Sequence, residues 1–212
     1  MTNKPTTAFM LCAGLGTRMR PLTNNTPKPM LEVAGRSLLD RALDRVVESG
    51  VKKVVVNTFY LPEIIEAHLA KRKDVEVVIS REQERLETGG GILNALHLVG
   101  DKPFYVITTD VVWIDSGKPI LQKLAESWTD ELVALLALQN TNNTYGYDGS
   151  GDFNMSSDGH LSWRGDAPSA NYVFTGLQII NPAIFKNEKV KAFGKIFALN
   201  QIYKEFLPKI KG

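Results

Sequence analysis

The sequence predicts an α/β fold, with a mostly parallel sheet between two layers of helices. Three observations predict it. Short strand patterns, several of them β-branched, alternate with helix patterns from residue 7 to about residue 139. Strands that alternate with crossover helices pair in parallel and are covered on both faces. The loops richest in glycine and charge follow the carboxyl ends of predicted strands, where open α/β sheets place their ligands.

The elements follow in order. Residues 7–12 read as a strand that runs into a glycine loop. Ser37 can cap a helix whose Leu38, Leu39, Ala42, Leu43, Val46 and Val47 share one face, and Gly50 ends it. Residues 54–58 form a β-branched strand, and Pro62 suits the first turn of a helix reaching about Arg72. A strand at 75–80, a helix at 91–98 after a second glycine loop, and a strand at 104–109 ending on Asp110 come next. A helix near 119–127 and a strand at 132–139 complete the regular alternation. After Asn140 the composition turns to Asn, Gly, Ser and Asp. Residues 152–156 and 161–163 predict a hairpin turning at Asp158–Gly159, followed by a strand at 172–180 and a helical turn at "NPAIF". An amphipathic pattern covers 196–207. The predicted organisation is one domain over 1–212, with a change of pattern at residue 140.

Bulk composition excludes several classes. The chain has 212 residues, 43% of them hydrophobic and 23% charged, with a net charge of +2, as expected of a soluble globular protein. The longest basic run is Lys71–Arg72–Lys73, a solvated helix end on this reading, so no nucleic-acid partner is expected. No stretch reaches membrane-spanning length and no signal peptide is visible, so no membrane partner and a cytoplasmic location are expected. Cys12 stands alone, which excludes an internal disulfide and reads as small buried filler. Oligomeric state is not legible.

The segment "FMLCAGLGTRMRPLTNNTPKPM", residues 9–30, carries the chemistry. Gly14 and Gly16 permit a tight turn whose successive backbone N–H groups form an anion-binding concavity. The dinucleotide fingerprint needs a third glycine where Met19 stands. The Walker loop needs Gly-Lys-Ser/Thr where Gly16 is followed by Thr17 and Arg18. Arg18 suits bidentate contact with phosphate oxygens, and Lys28 is a compact charge stiffened by Pro27 and Pro29. Taken singly, Arg18, Arg20 and Lys28 would be surface charges; an ordered string at a strand's carboxyl end points to a phosphate site.

The stretches "LCAGLGTRMRPLT" and "TPKPM" resemble the signature of the sugar-1-phosphate nucleotidyltransferases. The resemblance covers residues 7 to about 206. It implies a Rossmann-like, three-layer α/β/α fold of the nucleotide-diphospho-sugar transferase type. It also implies a nucleoside triphosphate and a sugar 1-phosphate as substrates, with a nucleotide-binding half at 1–140 and a sugar-binding half at 141–212. On matching positions, Leu11, Ala13 and Gly14 would line base and ribose, Gly16, Thr17 and Arg18 the phosphates, and Lys28 the phosphates of donor and acceptor. Arg18 and Lys28 would be catalytic. "LETGGGILNAL" is similar to a second family motif, often L-G-T-G, and places base or ribose against Thr88, Gly89 and Gly90. The Glu form of that motif, with "GDFNMSSDGHL", most resembles the N-acetylmuramate-1-phosphate uridylyltransferases of cell-wall recycling, favouring UTP and N-acetylmuramate 1-phosphate, with another hexose or heptose 1-phosphate and UTP or GTP as the alternative.

Asp110 ends a buried strand pattern, and the family's matching aspartate is a Mg²⁺ ligand, the expected cofactor here. Asp115 reads instead as a loop or helix-capping residue. Thr175 and Gly176 interrupt a strand pattern, as glycine does where a ligand approaches. The resemblance puts the acceptor sugar there, with Asp152 and Asn171 as hydroxyl partners. Tyr145, Tyr147, Trp128 and Trp163 read as packing residues. The family also carries a second metal aspartate late in the chain, in a W-x-D-x-G-T-like stretch, which these 212 residues lack. Three expectations stand: a chain shortened at its C-terminus, a different residue completing the metal site, or nucleotide binding with poor turnover.

Overall fold

A computed structural model describes residues 4–212. Strand β1 (Thr7–Leu11) leads into the glycine loop. A small hairpin, β2 (Glu32–Val33) and β3 (Arg36–Ser37), then delivers the chain to α1 (Leu38–Glu48). β4 (Lys53–Thr58), α2 (Pro62–Leu69), β5 (Glu76–Arg81), α3 (Glu87–Asn94), α4 (Leu96–Val99) and β6 (Phe104–Thr108) follow. Then come α5 (Ile120–Ser127), β7 (Ala134–Asn140), the hairpin β8 (Phe153–Met155) and β9 (Leu161–Trp163), and β10 (Tyr172–Ile180). The chain closes with α6 (Glu188–Lys191), α7 (Asn200–Phe206) and β11 (Ile210–Lys211).

The main sheet has nine strands in the order β11-β7-β10-β6-β1-β4-β5, with β8 and β9 added beside β10. β6, β1, β4 and β5 are parallel; β10 runs antiparallel between β6 and β7. The sheet is therefore mixed and mostly parallel at its centre, as expected. The two halves read from the sequence share this one sheet.

Period-two alternation sorts the central strands onto two faces. Ala8, Met10, Val54, Val56, Tyr105 and Ile107 pack toward α1, α2 and α5. Phe9, Val55, Phe104 and Val106 pack toward α3, α4 and α7. The result is three layers. In α1, Ser37 accepts the Asp40 N–H and donates to its carboxylate, a reciprocal cap worth about 1 kcal/mol. Burying Leu39, Leu43 and Val46 contributes roughly 1.5–3 kcal/mol each, so packing outweighs capping there.

Three details differ from the sequence reading. The glycines of "TGGG" are not a loop before a helix; they lie inside α3. A Cβ at Gly89 would stand 2.3 Å from the Phe197 ring, and one at Gly90 2.2 Å from the Lys195 carbonyl oxygen. Close approach of the strap 195–199 explains both glycines. Arg72 is no solvated helix end: its side chain is 15% exposed and its guanidinium bonds Asp40, Asp44 and Asp74. Tyr145 does not pack at all and is fully exposed, whereas Trp128 is buried and Trp163 lies 4.4 Å from Phe153, centroid to centroid. Asp115 does cap, its Oδ1 accepting the Ile120 N–H at 2.9 Å. No helix among the described residues is long and apolar enough to cross a membrane.

Candidate functional site

The carboxyl ends of β1, β4 and β6 open into a cleft of about 370 Å³. Leu11, Ala13, Gly14, Gly16, Thr17, Arg18 and Lys28 line one side, with Asp110 at the end of β6 and Thr88 on the far wall. Nine of the residues singled out by sequence thus converge on one space from four separate segments.

The glycine loop is built from inside. Gly16 has φ 63°, a left-handed conformation, and starts a 3-10 turn over Thr17–Met19. Its carbonyl accepts the hydroxyl of the fully buried Thr23 at 2.8 Å. A Cβ at Gly16 would meet the Thr23 methyl at 2.9 Å, so the residue cannot change without moving the turn. Gly14 is the opposite case: nothing lies within 4 Å of a Cβ built there. Its backbone faces open space, which leaves room for a ligand to reach the main chain.

Lys28 donates to Asp110 Oδ2 at 2.6 Å. The cation and the carboxylate, 82 residues apart in sequence, neutralise each other across the cleft. Arg18 is exposed at the rim. Cys12 lies behind the loop, 1% exposed, and burial pushes its thiol up to about 12, so it is filler and not a nucleophile.

On the opposite wall stands Glu87, where the resembled motif has glycine. Its φ is 62°, which costs a residue bearing a Cβ about 1–2 kcal/mol. Glycine would meet that geometry without strain; here the carboxylate pairs with Arg85 and both line the cleft. Gly89 and Gly90 do not line it. They are buried under the strap, and their N–H groups donate to the Phe197 carbonyl at 2.9 and 3.0 Å. The Thr88 hydroxyl is likewise engaged, accepting the Leu199 N–H at 2.8 Å.

The four acceptor-side residues lie outside this cleft. β10 has a register shift between Phe174 and Gln178, and Gly176 sits in it at φ 82°. A Cβ at Gly176 would fall 2.0 Å from Thr108 Oγ1 on the cleft wall, so the glycine serves strand-to-strand approach. Thr175 Oγ1 donates to the Ala137 carbonyl at 2.8 Å. Asp152 is occupied in bracing β10, accepting the Phe174 N–H at 2.9 Å. Asn171 is exposed, and its N–H donates to Asn154. Among the residues the sequence reading passed over, Asn57 and Glu82 line the cleft while being 2% and 5% exposed. Their signal was available: each is a polar residue at the carboxyl end of an apolar strand.

A family profile described as nucleotidyl transferase matches residues 7–154. The N-acetylmuramate alpha-1-phosphate uridylyltransferase of Caulobacter vibrioides is 40% identical over 190 residues, 87% of this chain and 78% of that protein. The chain belongs to the nucleotidyl transferase family. The enzyme of the same name from Neisseria meningitidis is 35% identical over 193 residues, 89% of this chain and 81% of that protein. The fold agrees as well: the inositol-1-phosphate CTP transferase from T. maritima superposes with a TM-score of 0.81 at 15% identity, over all of this chain and 86% of that one. In this nucleotidyl transferase the family-matched segment contains the glycine loop, Lys28, Thr88 and Asp110.

Proposed function

We propose that the chain transfers a uridylyl group from UTP to N-acetylmuramate 1-phosphate, releasing pyrophosphate. The observation that carries this reading is the convergence of the glycine loop, Arg18, Lys28 and Asp110 on one cleft. The identity to two uridylyltransferases supports the choice of substrates. On this reading the protein works in the cytoplasm, in the recycling of cell-wall sugars.

An oxygen of the sugar 1-phosphate attacks the α-phosphorus in line. The bond from that phosphorus to the oxygen bridging the α- and β-phosphates breaks, and that oxygen leaves with its electron pair as a terminal oxygen of pyrophosphate. The attacking oxygen is already anionic, so no general base is required, consistent with the lack of a histidine in the cleft lining. Backbone N–H groups from Gly14 to Thr17 hold the triphosphate, Arg18 takes charge on the leaving pyrophosphate, and Lys28 orients donor and acceptor phosphates.

The donor set fits Mg²⁺. Asp110 offers a hard carboxylate in the cleft lining, of which Oδ2 is paired with Lys28. No cluster of three or more His, Cys, Asp or Glu exists among the described residues to form an all-protein cage. Mg²⁺ takes its remaining ligands from water and phosphate. When bound by Asp110 it would neutralise phosphate oxygens and so favour attack at the α-phosphorus.

Pyrophosphate release is measured across UTP, GTP, CTP and ATP, each with N-acetylmuramate 1-phosphate and other hexose and heptose 1-phosphates, with and without Mg²⁺. Release with UTP and N-acetylmuramate 1-phosphate, lost in Asp110→Asn, is expected. Turnover confined to another pair would reassign the substrates. Triphosphate binding with no turnover across the panel would leave a binding module.

A further inference from the structure

Beneath the cleft, one chain of buried polar contacts joins three strand ends. Cys12, just past β1, donates its backbone N–H to Asn57 Oδ1 at 2.8 Å. Asn57, in β4, donates from Nδ2 to Glu82 Oε1 at 2.8 Å. Glu82, one residue past β5, accepts the Leu86 N–H on Oε2 at 3.3 Å. The directions are forced. A backbone N–H can only donate, so Asn57 turns its carbonyl to Cys12 and has only its NH₂ left for Glu82. Gly91 belongs to the same arrangement, because a Cβ there would lie 2.7 Å from Glu82 Oε1 and 2.8 Å from Asn57 Nδ2.

A buried amide and carboxyl are costly, and an apolar pair could fill the same volume. Their placement gives them a task. Cys12 leads directly into the glycine loop on one wall of the cleft, and Leu86 leads into Glu87 and Thr88 on the other. Backbone pairing between β1 and β4 ends at Leu11 and Asn57, and that between β4 and β5 at Thr58 and Arg81, just short of Cys12 and Glu82. The side-chain relay carries the lateral connection past the end of the sheet.

We propose that Asn57 and Glu82 are positioning residues that hold the two walls of the nucleotide cleft at a fixed separation, acting through the backbone of Cys12 and Leu86. The proposal rests on the reading of this cleft as a triphosphate site. The residues act on donor binding and not on the transfer step. Their loss raises KM for UTP and leaves kcat at saturating UTP nearly unchanged.

The test is calorimetric titration of UTP into the protein without acceptor, with steady-state kinetics and hydrogen exchange alongside. Asn57→Ala and Glu82→Ala are each expected to weaken UTP binding about tenfold or more, the scale of one buried hydrogen bond to a charged group. The double variant should be no weaker than the worse single, since both cut one chain. Exchange at residues 12–16 and 86–88 should quicken in the ligand-free protein. Glu82→Gln keeps an acceptor for Asn57 and the shape of the side chain, so it should fold in all cases and bind with intermediate affinity. Wild-type affinity in these variants, additive losses, or a fall in kcat with KM unchanged would overturn the proposal; for unstable alanine variants, wild-type affinity in Glu82→Gln does so alone. Failure of the wild type to bind UTP would instead overturn the function proposed above, and this inference with it.

Discussion

Alanine at position 90 should destabilise this protein, although alanine normally stabilises a helix. In an isolated helix, Gly→Ala gains about 1 kcal/mol. Gly90 lies within α3, but its Cβ would stand 2.2 Å from the Lys195 carbonyl oxygen and 3.3 Å from the Leu86 Cβ. The first contact is with backbone, which cannot swing aside as a side-chain tip does. The strap 195–199 must move by roughly 1 Å to restore ordinary contact. Overpacking of this kind costs about 1–3 kcal/mol. The Gly89 and Gly90 N–H bonds to Phe197 weaken with it, at about 1 kcal/mol each. Setting the propensity gain against these losses leaves a net destabilisation of about 2–4 kcal/mol. For a chain of this size that lowers Tm by roughly 4–16 °C. Thermal unfolding followed by circular dichroism reads the change. Gly14→Ala is the matched comparison: its methyl meets no protein atom, so Tm should move by no more than about 2 °C, while UTP affinity falls because the methyl occupies ligand space. A Gly90→Ala protein as stable as the wild type, or more so, would refute the reasoning.

Arg18→Ala and Lys28→Ala should each lower kcat about 10²–10³-fold, the scale of one lost charge-stabilising donor, with unfolding midpoints close to wild type. Unchanged rates would mean the two cations only solubilise the rim. Burial raises the pKa of Glu82 above its ordinary 4.5, so the folded chain holds that proton more tightly than the unfolded one. Its contribution is fully present below the unfolded value and is lost as pH rises through the folded value. The Tm of Glu82→Gln relative to wild type should therefore climb across that window, as thermal melts in a pH series would show; a flat difference would contradict it. Cys12, buried and with its thiol pushed up to about 12, should resist iodoacetamide in the native protein and react on unfolding, as mass spectrometry can follow.

The central strands and α1 were legible because local chemistry decides them: β-branched runs, a Ser37 cap and a single apolar face. The cleft was legible for the same reason at the glycine loop, where residue type and spacing are adjacent in the chain. Other features needed long-range contact. Nothing local distinguishes a glycine that faces open space from one that admits Phe197, and these two cases are Gly14 and Gly89. The roles of Asn57 and Glu82 depend on a contact between residues 25 apart. The bond by which Asp152 braces the Phe174 N–H, 22 residues on, likewise leaves no mark on its sequence neighbours. The short hairpin of β2 and β3 and the closing strand β11 have two residues each, too few to show any period.

The Lys28–Asp110 pair has a consequence for selectivity against small ions. In the free enzyme Lys28 is already matched by a carboxylate 2.6 Å away. A stray inorganic phosphate or sulfate gains little there, because taking the ammonium leaves Asp110 bare. A guest that brings negative and positive charge together can supply a new partner to each side at once. At Lys28 the pair thereby favours a guest of mixed charge over a lone anion.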